Sequence, residues 1–163
     1  MLRKLISKYR RKGVLVDTNL LIGFLAGTLS KAHLKDCRAT KVFTAEDFDL
    51  LNSFLGNFQK VVTTPHILTE TSNLAGKLPE KLYTSFRQIF RNMVVEAEER
   101  FEPSNDLCVR EEFLRLGLAD TAISATAPGQ FLVLTDEFAL YGSLQKRGVD
   151  VVNFNHLRQS VWR

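Results

Sequence analysis

The clearest order along the chain is a change of period at Gly13-Val-Leu-Val-Asp-Thr-Asn-Leu-Leu-Ile-Gly-Phe24. Val14, Leu15 and Val16 have no polar alternate position, which predicts a short strand buried on both faces. Leu20, Leu21, Phe24 and Leu25 then recur at helical spacing. Strand, turn and helix follow in that order, with Asp17 at the carboxyl end of the strand. An ionised carboxylate inside the apolar run would lose several kcal/mol or more to desolvation, so it belongs where the chain leaves the sheet.

The alternation continues. Thr44 with Asp47 three positions on resembles a capping pair for a helix through residues 44 to 55, ended by Gly56. Lys60-Val-Val-Thr63 reads as a second strand, and Thr64-Pro65 starts a helix with proline where its missing N–H does no harm. Residues 81 to 92 form a further helix with Leu82, Phe86, Ile89 and Phe90 on its apolar face, and Met93-Val-Val-Glu96 reads as a third strand. Pro103 opens helical material through Leu116, Gly117 breaks it, and residues 118 to 126 form a short helix of small residues. Phe131 to Thr135 is a fourth buried strand followed at once by Asp136; residues 137 to 147 are helical, and Val149 to Val152 is the last strand. Short apolar strands separated by helices predict an α/β fold, a three-layer α/β/α sandwich around a mainly parallel sheet.

Composition narrows the classes. At 163 residues, the chain is expected to hold a basic arm over 1–12 and one domain over 13–163. The arm crowds Arg3, Lys4, Lys8, Arg10, Arg11 and Lys12 together, a pattern equally suited to tracking a phosphate backbone or to a solvated, basic helix. The formal net charge of +4 favours contact with polyanions. Cys37 and Cys108 stand far apart with no CxxC or Cys/His cluster, which argues against zinc. With no secretory leader pattern and no run near the ~20 apolar residues of a membrane span, the expectation is a cytoplasmic protein without membrane contact.

Two acids, Asp17 and Asp136, each fall just past a buried strand and before a helix. Ligands of open parallel sheets gather beyond the carboxyl ends of the strands, where strand order reverses. If the first and fourth strands are neighbours, both carboxylates meet in one cleft. Glu70, in the second turn of the helix after the second strand, and Asp120, near the start of the short helix before the fourth, can reach the same edge. Each acid also has a plainer reading: Asp17, Asp120 and Asp136 as helix caps, Glu70 as a solvated helical residue.

The ordered set Asp17-Thr18-Asn19, Glu70 after a strand–Pro–helix entry, Leu118-Ala-Asp120 and Leu134-Thr135-Asp136 resembles the PIN domain, a ribonuclease fold that includes toxins of the VapC type. The likeness spans Gly13 to Phe154. It implies a divalent-metal-dependent endoribonuclease, with Asp17, Glu70, Asp120 and Asp136 as both catalytic carboxylates and metal ligands. Asn19 and Thr135 would orient them. It also implies Mg2+ or Mn2+ as cofactor, RNA as substrate, an antitoxin protein as partner and a homodimer. Glu137 is read as a helical first-turn acid, or as an additional member of the set. The residue types fit that chemistry independently: clustered carboxylates need a neutralising cation, and hard divalent ions prefer oxygen ligands.

Two other classes compete. An aspartyl-phosphate phosphatase resembles a family needing a second Asp where Asn19 stands, and no Gly-rich loop follows the first strand to cradle a nucleotide. A catalytically silent PIN-like module that binds RNA or protein is the remaining alternative. The helices of residues 44 to 55 and 81 to 92 are candidate partner or dimer faces, or simply core.

Overall fold

A computed structural model describes residues 1–36 and 38–161. Five strands form one sheet: β1 (Val14–Val16), β2 (Val61–Thr63), β3 (Glu98–Glu99), β4 (Leu132–Thr135) and β5 (Val151–Asn153), in the order β3-β2-β1-β4-β5. Every pairing is parallel, with Val14 opposite both Val61 and Leu132. The chain moves outward from β1 to β3, then returns to lay β4 on the other side of β1. Right-handed crossovers therefore place helices on both faces. The result is the expected three-layer α/β/α sandwich.

The helices are α1 (Leu2–Tyr9), α2 (Thr18–Leu29), α3 (Ala45–Leu55), α4 (Pro65–Ala75), α5 (Glu80–Glu96), α6 (Ser104–Cys108), α7 (Phe113–Thr126), α8 (Phe138–Lys146) and α9 (Phe154–Val161). Local signals explain several starts. Thr44 and Asp47 exchange backbone and side-chain hydrogen bonds at the head of α3, and Thr64 accepts from the Ile67 amide above Pro65 in α4. Val14, Leu15, Leu132, Val133 and Leu134 are fully buried, as strands covered on both faces must be. α2 packs against α3, α4 and α5.

The third strand corrects the sequence reading. Residues 93 to 96 are not extended but complete α5, and the strand is displaced to Glu98–Glu99. Phe86, Ile89, Phe90 and Met93 continue one apolar stripe packed against the core, whereas Val95 is 78% exposed. Period 3.6 prevailed over the β-branched content. The basic arm is also more than a tail. α1 lays Leu2, Leu5 and Ile6 on the core and buries Tyr9, whose hydroxyl donates to Asp150 at 2.8 Å. α9 has no counterpart in the sequence reading; Arg158 on it forks onto Asp47 with Nε and Nη2 at 2.7 and 2.9 Å. Of the two cysteines, Cys37 lies outside the described residues, and Cys108 is an exposed free thiol. Among the described residues no helix is long and apolar enough to cross a membrane.

Candidate active site

β1 lies between β2 and β4, so strand order reverses beside it and the crevice favoured for ligands opens at its carboxyl end. Asp17 stands there. Its amide still donates to the Leu134 carbonyl at 3.0 Å, and its backbone caps α2, but its side chain makes no capping hydrogen bond. The carboxylate turns inward instead, 3% exposed, and accepts from Thr135 Oγ1 at 2.5 Å. Thr135 in turn accepts from the Glu137 amide at 3.0 Å, which ties the end of β4 to the start of α8.

A cleft of about 430 Å3 opens over Asp17 and is lined by Thr18, Asn19, Glu70, Asn73, Asp120 and Glu137, with Leu74 and residues 116–119 as its apolar wall. Glu70 comes in from α4, and its Oε2 accepts from Thr18 Oγ1 at 3.0 Å. Asp120 comes from α7, one turn beyond the break at Gly117, whose φ of 77° and ψ of −178° redirect the helix. Glu137 comes from the head of α8 and accepts from Asn19 Nδ2 at 3.3 Å. It occupies the N-cap position without capping.

Asp136 takes a different place. It does not line the cleft; its carbonyl accepts from Asn155 Nδ2 at 2.8 Å, and its Oδ1 is buried without a hydrogen-bond partner among the described residues. It remains electrostatically close to Asp17 and Glu137, with Arg158 drawing on it from α9. Of the four acids read from the sequence, three meet in the cleft, the fourth sits behind them, and Glu137 faces the opening. The adjacent Asp136-Glu137 pair after a buried strand was the available signal, but which of the two turns inward depends on how α8 docks. Thr18 stood inside the Asp17-Thr18-Asn19 motif without being given a role, and Asn155 and Arg158 had no sequence signature for this site.

The electrostatics follow from burial. Burial pushes Asp17 up to about 8 against the Thr135 hydrogen bond, with Asp120, Glu137 and Asp136 adding repulsion. Burial likewise raises Asp120 to about 7, helped by Glu137 and Glu70. Asp136 and Glu137 are raised mainly by burial as well; Asn19 holds both back, Arg158 also opposes the rise at Asp136, and Asp136 and Glu70 repel Glu137. Among the described residues no Lys, Arg or His lines the cleft. Asp17 and Asp120 thus hold protons near neutral pH unless a cation enters.

The donor set lining the cleft suits a hard divalent cation: all oxygen, anionic and unneutralised. Among the described residues no three His, Cys, Asp or Glu side chains stand at ligand spacing. Magnesium binds with one or two carboxylates plus waters and substrate phosphates, so a pair drawn from Asp17, Asp120, Glu70 and Glu137 is sufficient. Compared with family models, curated proteins and solved structures, the chain has no match in any of the three.

Proposed function

We propose that this chain is a divalent-metal-dependent endoribonuclease of PIN type, hydrolysing RNA phosphodiester bonds in the cleft above Asp17. One observation carries the reading. A fully buried aspartate ends the central strand at the reversal point, and acids from three other elements surround it with no basic side chain among the described residues of the lining. Structural acids are normally paired with Lys or Arg, as Asp47 is with Arg158.

Asp17, Asp120, Glu70 and Glu137 would hold the ion, with Asp136 behind them. Bound Mg2+ or Mn2+ supplies a water activated near neutral pH and a counter-charge for the phosphate in flight. The chain's own part is positional. Thr135 fixes the Asp17 carboxylate, Thr18 turns Glu70 and Asn19 turns Glu137 toward the opening. Asp120, raised to about 7 by burial and by its acidic neighbours, would give up its proton on taking the ion, so ion binding strengthens as pH rises through 7. A toxin role with an antitoxin partner, a homodimer and a cytoplasmic place extend this reading by resemblance alone.

The test is cleavage of labelled RNA in Mg2+ or Mn2+, single-stranded and structured. Wild type should cut and stop on chelation, and Asp17→Asn should lose at least a hundredfold. Equal cleavage by both would overturn the proposal. A silent binding module draws support from the present engagement of Glu70 by Thr18 and Glu137 by Asn19. Manganese titration separates the two, since a module without metal chemistry binds the ion no better than Asp17→Asn does. Growth of bacteria expressing wild type or Asp17→Asn tests toxicity.

A further inference from the structure

We propose that α1 and the turn after it form a second nucleic-acid contact, a docking surface for the phosphodiester backbone of RNA at the end of the sheet opposite the acidic cleft. α1 runs through Gly13 into the amino end of β1, whereas Asp17 leaves its carboxyl end. The strand between rises about 10 Å, so the two charge clusters face opposite ends of the domain. Polycation and acids therefore do not neutralise each other.

The helix is sorted by face. Leu2, Leu5, Ile6 and Tyr9 lie against the core, while Arg3, Lys4, Arg10 and Arg11 are exposed. Two cations of the run are already used: Lys8 pairs with Asp150 at 2.6 Å, and Lys12 donates to the Gly129 carbonyl at 2.8 Å. Among the described residues no carboxylate pairs with Arg3, Lys4, Arg10 or Arg11. The surface is also concave. Arg3, Ser7 and Arg10 line a groove of about 340 Å3 whose other wall is Gly56 and Asn57, after α3. Two unpaired guanidiniums and a hydroxyl along one groove match the oxygens of successive phosphates, which arginine engages in paired fashion. A lipid surface fits poorly, because the apolar face that would enter the bilayer is spent on the core.

The choice of RNA as the polyanion rests on the proposed function, but the contact needs no metal and no cleavage, so binding is measured in EDTA by fluorescence anisotropy of a labelled RNA hairpin across a salt series. The full chain should bind with a strong salt dependence. Arg3→Gln/Arg10→Gln should weaken binding roughly five- to tenfold at 0.1 M salt and lower the log–log salt slope by about 1.5 to 2. Arg87→Gln/Arg91→Gln on α5 removes the same charge elsewhere and should leave both within twofold. Equal loss by the two double variants would show net charge alone at work and overturn the proposal, as would unchanged binding by Arg3→Gln/Arg10→Gln. Binding to phosphatidylserine vesicles without binding to RNA would overturn it too. Melting of each variant within a degree or two of wild type confirms that the fold is intact.

Discussion

The Thr135 hydroxyl and the Asp17 carboxylate meet at 2.5 Å across the β1–β4 pair, 118 residues apart in the chain. That contact holds the most buried acid of the cleft in one orientation, and the same hydroxyl accepts from the Glu137 amide. Thr135→Val keeps the shape but removes both bonds. The hydrogen bond favours ionised Asp17, so its loss should make the metal-free carboxylate hold its proton more tightly and shift the pH profile of Mn2+ binding upward. Cleavage at pH 7 should fall about tenfold or more, consistent with losing a charge-assisted bond of roughly 1.5–3 kcal/mol. An unshifted pH profile would argue that Asp17 is oriented by something else.

Stability should depend on pH with a sign set by Asp17. Its pKa in the fold is about 8, above its ordinary value of 3.8, so the folded state holds the proton more tightly than the unfolded chain. The favourable contribution is complete below pH 4 and is lost as pH rises through 8. Without metal, Asp17→Asn should therefore melt like wild type at pH 4 and several degrees higher at pH 8. Saturating Mn2+ should shrink that gap by stabilising wild type alone. Calorimetric scans at the two pH values, with and without Mn2+, read the effect directly.

Glu137 and Asp136 make a direct comparison. Only Glu137 lines the cleft, while the Asp136 side chain lies outside the lining, with a hydrogen bond from Asn19 and the charge of Arg158 acting on it. Glu137→Gln should weaken Mn2+ binding by about tenfold or more, and Asp136→Asn by less, as expected for loss of a ligand against loss of a neighbouring charge. Titration calorimetry decides it. The reverse order would return Asp136 to the set of ion ligands.

Gly117 holds α7 at the angle that delivers Asp120. Its φ of 77° with ψ of −178° belongs to a region open essentially to glycine, although no atom lies within 4 Å of an added Cβ. Five residues earlier, at the N-cap of α7, Glu112 accepts from Arg147 at 2.5 Å and from Ser124 at 3.0 Å. With that end pinned, α7 cannot absorb the strain by shifting as a whole. Gly117→Ala should cost about 1–3 kcal/mol of stability and lower cleavage beyond what unfolding explains. Denaturant melts paired with rates measured on folded protein separate the two losses.

Local chemistry made much of this legible in the sequence. The Thr44–Asp47 box and Thr64-Pro65 start their helices where residue type alone predicts, because a cap needs only partners three residues away. The β1 and β4 strands were equally plain, since a run with no polar alternate position survives only when covered on both faces. The third strand failed for the converse reason: Met93 to Val95 suits either period, and the stripe begun at Phe86 settled it through packing that lies outside the segment.

By itself, then, the sequence determined the alternation of strands and helices, and with it the placing of Asp17 and Asp136 at strand ends. Tertiary structure alone decided that Asp17 faces inward onto Thr135, that Glu137 and not Asp136 meets Asp120 and Glu70, and that the basic helix lies at the far end of the sheet. The physical reason is range. Periodicity and capping act over a turn or two of chain, whereas the direction of a carboxylate and the field around it are set by which elements pack beside it, often a hundred residues away.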